Sequence, residues 1–217
     1  MLLNIAPALY VRFKKYRPEG GYRKKEYEDK PVLTISEIVQ LGYLDVNRTL
    51  RGIDPEQSRQ FKGTAISFIN NLLVSPPKNQ ENFDLLHRRC CEECLGSMGK
   101  ARIHYGQAQK LLNMSLKYLY NEYAVYQGKI NQFRFPDNNI EHFFHLPIDN
   151  QILDFLIQNC HFITPTRLPW SQWNYEHYIS FQRQLRQRIN AKYSPLEIDY
   201  MLWNTDGASV GDAIAVK

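Results

Sequence analysis

Lys110 and Asp149 are the two residues of this 217-residue chain whose types and settings could do chemistry together. Lys110 lies in Gly106-Gln107-Ala108-Gln109-Lys110-Leu111-Leu112-Asn113, on the opening turn of the longest apolar helical stretch. Asp149 closes His145-Leu146-Pro147-Ile148-Asp149, just after a proline and ahead of another apolar run. A lysine amine that burial or a nearby cation keeps partly neutral is a nucleophile that can form a Schiff base. A carboxylate stabilises positive charge by electrostatics. A glycine turn that opens a helix leaves N–H groups that can receive a phosphate. The plainer reading is that Lys110 points to water and that Asp149 is first of all a helix N-cap.

The elements that must position these residues read as helices. Thr34-Ile35-Ser36-Glu37 has the form of a capping box, which predicts a helix to about Leu41, before Gly42. Ile66, Ile69, Leu72 and Leu73 predict a helix from about Gly63 to Val74, ended by Ser75-Pro76-Pro77. Further helices are expected over about 81–95, with Phe83, Leu86, Cys90 and Cys94 on one side, and over 107–126, with Leu111, Leu112, Ser115, Leu116 and Leu119 facing inward. Residues 128–145 read as a long loop. Asp149 or Asn150 starts the next helix, and a last helical region carries Trp173, Tyr175, Tyr178, Phe181, Leu185 and Ile189. Short strands are expected at Val32-Leu33 and Phe162-Ile163-Thr164. The fold class is therefore mostly α: one helical domain over 32–206, a basic, tyrosine-rich arm over 1–31 and a loosely held small-residue tail over 207–217.

The stretch Gly106 to Asn113 resembles the hairpin and following helix of the helix-hairpin-helix DNA glycosylase superfamily, its 8-oxoguanine branch included. There, glycine, any residue, glycine, any residue and lysine precede small apolar residues and often an asparagine. Leu146-Pro147-Ile148-Asp149 is similar to that family's segment ending in the catalytic aspartate. The resemblance covers about residues 104–158. It implies a glycosylase-like helical fold, DNA as partner, and excision of a base flipped out of the stack. Lys110 would be the amine nucleophile at C1′ and Asp149 the essential carboxylate. Gly106, Gln107, Ala108 and Gln109 would form the phosphate-binding turn, and no cofactor is implied. The chain departs from the pattern at Ala108, whose Cβ stands where the second glycine would let a phosphate approach. The 39 positions from Lys110 to Asp149 also exceed the family's spacing, which makes 128–141 an insertion.

Other residues carry weaker indications. Arg183 and Arg186 on the last helix could contact a phosphate backbone, or simply face water. The arm between Arg12 and Lys30 interleaves basic residues with Tyr16, Tyr22 and Tyr27, and could do the same. Trp170, Trp173, Tyr175 and Tyr178 read as core or as a base-stacking group. His87, Cys90, Cys91, Cys94 and His104 have half of a zinc-site pattern without the second half, so no metal is expected. No P-loop and no dinucleotide-binding glycine pattern is present.

Hydrophobic content of 43% and aromatic content of 13% suffice for a core, and the net charge of +5 permits an anionic partner without requiring one. No apolar run is long enough to span a bilayer, and the opening residues lack the pattern of a secretory signal, so a cytoplasmic protein with no membrane partner is expected. Two functions fit: a DNA-binding glycosylase in repair or anti-phage defence, or a non-enzymatic helical module that serves a larger protein or nucleic-acid complex.

Overall fold

The computed structural model describes residues 33–98, 103–125, 140–204 and 213–214. The arm over 1–31 lies outside them, as do 128–139 of the expected loop. Seven α-helices occur among the described residues: α1 Ile35–Asn47, α2 Pro55–Val74, α3 Gln80–Ser97, α4 Tyr105–Val125, α5 Asn150–Cys160, α6 Tyr175–Arg188 and α7 Pro195–Asn204. Two 3-10 turns, η1 Ile140–Phe143 and η2 Trp170–Gln172, complete the list. The fold is mostly α, and no helix among the described residues is long and apolar enough to cross a membrane.

Local chemistry sets the helix starts. Thr34 caps α1 in the expected capping box, Glu37 returning to the Thr34 N–H at 2.8 Å. Asp54 and Gln57 form a second box that starts α2 at Pro55, a turn and more ahead of the apolar repeat that marks its core face. Asn79, Asp149 and Asn174 cap α3, α5 and α6.

Gly42 does not end α1. The helix runs on to Asn47, because Gly42 is where α1 crosses α4: a Cβ there would sit 2.5 Å from Ser115 Oγ and 2.9 Å from Ser115 N. The glycine permits close helix packing instead of breaking the helix.

Neither expected strand forms among the described residues, and Val32 lies outside them. Leu33 is irregular, and Phe162–Thr164 form no ladder; the Ile163 N–H and C=O instead pair with the Gln184 side chain at 3.1 and 3.3 Å. The sole bridge among the described residues joins Ile189 to Ile214, and Asn190 N donates to Ala213 O at 2.9 Å. Ala213 and Ile214 are buried, so this part of the tail is seated in the core and not loosely held.

α4 forms the axis. It packs against α1, α2, α3, α6 and η2. Its leucines are buried, and so are Gln107, Gln109, Lys110, Asn113, Ser115, Lys117 and Glu122. A helix this enclosed must pair every polar side chain it carries. That requirement shapes the site.

Candidate functional site

Lys110 and Asp149 meet. Lys110 Nζ donates to Asp149 Oδ2 at 2.7 Å, with 6% and 12% of the two side chains exposed. Asp149 Oδ1 accepts from Ile152 N at 3.0 Å, which caps α5. One carboxylate thus holds a helix terminus and the lysine at once. The helix-terminal N–H groups favour its charge, and Lys110 faces it in an environment with little screening.

Further charges lie along α4 beyond this pair. Lys117, two helical turns further along α4, forms an ion pair with Asp199 of α7, both nearly fully enclosed. Lys117 Nζ also lies 5.1 Å from the centre of the Tyr200 ring. Asp45 of α1 accepts from the Tyr118 hydroxyl at 2.8 Å. Burial raises the Asp45 carboxyl from its ordinary range, against the lowering pull of Tyr118, Lys110 and Lys117.

A second network flanks the pair, and its hydrogen-bond directions follow from two backbone carbonyls. Gln109 Nε2 faces Gly106 O at 2.9 Å and Ile148 O at 3.5 Å, both of which can only accept. Gln109 Oε1 must therefore accept, and it does so from Asn113 Nδ2 at 2.8 Å. The same Asn113 amide donates to the Tyr178 oxygen at 2.8 Å, leaving Asn113 Oδ1 to accept from His87 Nε2 at 3.0 Å. With both Asn113 protons placed, the Tyr178 O–H donates to His145 Nδ1 at 2.7 Å. His145 Nε2–H then donates to Asp84 Oδ1 at 2.9 Å. Neutral His145 in its Nε2–H form is the one arrangement that satisfies every member.

The shifts follow the same geometry. Burial lowers His145 and lowers His87 well below the ordinary range. Burial would raise Asp84, but the hydrogen bond from His145 brings it below its usual value.

The segment that leads into Asp149 is not helical after η1, and side chains hold its backbone. Arg186 donates to the carbonyls of His142, Phe143 and Phe144 at 2.8, 2.8 and 3.0 Å. Gln182 pairs with Leu146 N and O at 3.2 and 2.7 Å, while Gln80 reaches Phe143 O at 3.1 Å. Irregular buried backbone needs such partners, since it has no ladder of its own. Burial pulls Arg186 down to about 10.

The remaining sequence candidates are placed differently from expectation. Gly106, Gln107, Ala108 and Gln109 are buried, and the Gly106 N–H donates to Trp173 O at 2.9 Å. A Cβ on Gly106 would lie 1.9 Å from Trp170 O, so this glycine serves the approach of η2 to α4. Gln107 is spent on His104 N and Thr49 O, at 2.9 and 2.7 Å. As placed, this turn offers no surface to a phosphate. Arg186 likewise has both terminal nitrogens on backbone carbonyls, whereas Arg183 is exposed. Trp170, Trp173 and Tyr178 are core.

The four cysteines are free and buried, and burial pushes the Cys91 thiol well up, the opposite of an activated nucleophile. No group of three or more metal-ligating residues occurs among the described residues.

Sequence reasoning missed Asp84, His87, Asn113, His145 and Tyr178 as a set. One local signal was available, since Gln109 and Asn113 stand four apart on one helix. The contacts from α3, α6 and the 142–149 segment depend on tertiary packing. No family model matches the chain, and no curated protein or solved structure matches it either.

Proposed function

We propose that the protein is a DNA-binding protein of the helix-hairpin-helix glycosylase type that excises a modified base, with Lys110 as amine and Asp149 as carboxylate. The observation that carries this reading is the 2.7 Å contact between the two residues singled out from the resemblance, across 39 positions of sequence. In such a reaction the Lys110 amine attacks C1′ of the flipped nucleotide, and the bond from C1′ to the base breaks with its electron pair leaving on the base. Asp149 faces the positive charge that builds on the sugar. It also lies within hydrogen-bond reach of the proton that Lys110 must lose before attack.

DNA contact on this reading falls to Arg183 and to the basic arm between Arg12 and Lys30, because the Gly106 turn is covered by η2. The experiment is salt-dependent binding to duplexes that carry modified bases, together with release of free base. Asp149→Asn is expected to keep binding and lose release. Binding that is absent at low salt would refute the reading.

The covered turn favours a second reading: a helical module that serves a larger protein or nucleic-acid complex without turnover. In that case the Lys110–Asp149 pair only anchors α5 to α4. Wild-type DNA binding with no base release from any duplex would select it.

A further inference from the structure

We propose that Tyr178 is a positioning residue for Asp149: by donating to Nδ1 of His145, its hydroxyl fixes the imidazole that anchors the segment on which Asp149 sits. The consequence for base excision rests on the role given to Lys110 and Asp149 above.

Tyr178, His145 and Asn113 are almost fully enclosed, and both Asn113 Nδ2 protons are used, on Gln109 and on Tyr178. A proton arriving on His145 Nδ1 would therefore face the Tyr178 O–H at 2.7 Å, and among the described residues the hydroxyl has no other hydrogen-bond acceptor to turn to. His145 is also one of two points where the segment is tied to α3, the other being the Gln80 amide on Phe143 O. The His145 Nε2–H reaches Asp84, and Asp84 in turn holds Gln80. The groups facing His145 are Asp84, Gln80 and His87 from α3, the last with ring centres 4.8 Å apart, and Tyr178 and Arg186 from α6. Asp84 favours a proton on His145, while burial and the Arg186 charge oppose it. The Tyr178 hydroxyl adds a directional block that neither charge supplies. Four residues beyond His145, Asp149 caps α5 through Ile152 N, so exchange of that one amide reports whether the seat is intact.

Tyr178→Phe removes the hydroxyl and keeps the ring that stacks on His87 at 5.5 Å. In the full-length protein, imidazole 15N shifts followed against pH are expected to show wild-type His145 as the Nε2–H form, titrating below about 6.5. In Tyr178→Phe the midpoint should rise by about one pH unit, a tenfold gain in proton affinity. Exchange of the Ile152 amide should speed up at least tenfold with that same midpoint. A purely structural role would loosen the amide at every pH alike.

An unchanged His145 midpoint, or Ile152 exchange that ignores it, would overturn the proposal. Should the variant not fold, the wild type decides, because an Nδ1–H tautomer overturns the assignment and an Nε2–H tautomer supports it. None of these readouts uses DNA, so a protein inert on DNA would refute the glycosylase reading and leave this one standing. Excision by Tyr178→Phe with the wild-type pH profile would do the reverse.

Discussion

Asp149 divides its two carboxylate oxygens between a helix and a lysine: Oδ1 accepts from Ile152 N at 3.0 Å, and Oδ2 from Lys110 Nζ at 2.7 Å. A capping aspartate can usually be exchanged for asparagine at small cost. Here the exchange leaves the buried Lys110 ammonium without its counter-charge, and removing one member of a buried pair costs about 3–5 kcal/mol. Asp149→Asn and Lys110→Met should each lower unfolding stability in urea by that order, and the double variant should recover part of it. Losses that add within about 0.5 kcal/mol would mean the pair is not coupled.

Gly106→Ala tests the closure of η2 over α4. The new Cβ would meet backbone atoms, Trp170 O at 1.9 Å and Trp170 C at 2.9 Å, which a side-chain rotation cannot relieve. A destabilisation of about 3 kcal/mol is expected. A change below about 0.5 kcal/mol in chemical denaturation would show that η2 is not held against the helix as described.

Stability should depend on pH through three groups that act in opposed directions. Burial raises Glu141 to about 7 from its ordinary 4.5. Between those values the folded protein binds the extra proton, so this group's contribution falls as pH rises through the interval. Glu141→Gln should then stabilise by about 2 kcal/mol at pH 8 and change little at pH 4. His87 and His145 act in the other direction: both are lowered in the fold, so the unfolded chain takes up their protons first and stability is lost as pH falls below about 6.5. Urea midpoints from pH 4 to 9, for the wild type and Glu141→Gln, separate the two slopes.

Arg186 should be a structural residue before it is anything else. Its guanidinium donates to three consecutive carbonyls, from His142 to Phe144, an arrangement that a single ammonium cannot reproduce. Arg186→Lys is expected to cost about 2–3 kcal/mol, read as a lower thermal midpoint. A salt-dependent loss of DNA affinity with no loss of stability would instead restore it to the phosphate-binding surface.

The sequence disclosed most of the helices, though not α7 (Pro195–Asn204), because their signals are local. The Thr34 capping box, the apolar repeats of α2 and α3 and the Asp149 cap all act within a turn or two of their own residues. Gly42 misled because a glycine that breaks a helix and a glycine that lets two helices touch are the same residue until the partner, Ser115, is known. The expected strand at Phe162–Thr164 failed because its apolar run is served by one glutamine side chain, Gln184, rather than by a second strand. Lys110 and Asp149 could be singled out from sequence, but their contact could not. The burial that turns Gly106–Gln109 inward, and the proton order from Gln109 to Asp84, arise from five elements packed together and leave no periodic trace.

Borohydride trapping asks whether the Lys110 amine forms a Schiff base with the sugar. Duplexes carrying a panel of modified bases are incubated with the full-length protein, the reductant is added, and any covalent adduct is digested and mapped. A protein–DNA adduct is expected whose DNA-bearing peptide contains Lys110, and it should disappear in Lys110→Ala. An adduct mapped to another residue, or base release without any adduct, would contradict Lys110 as the nucleophile.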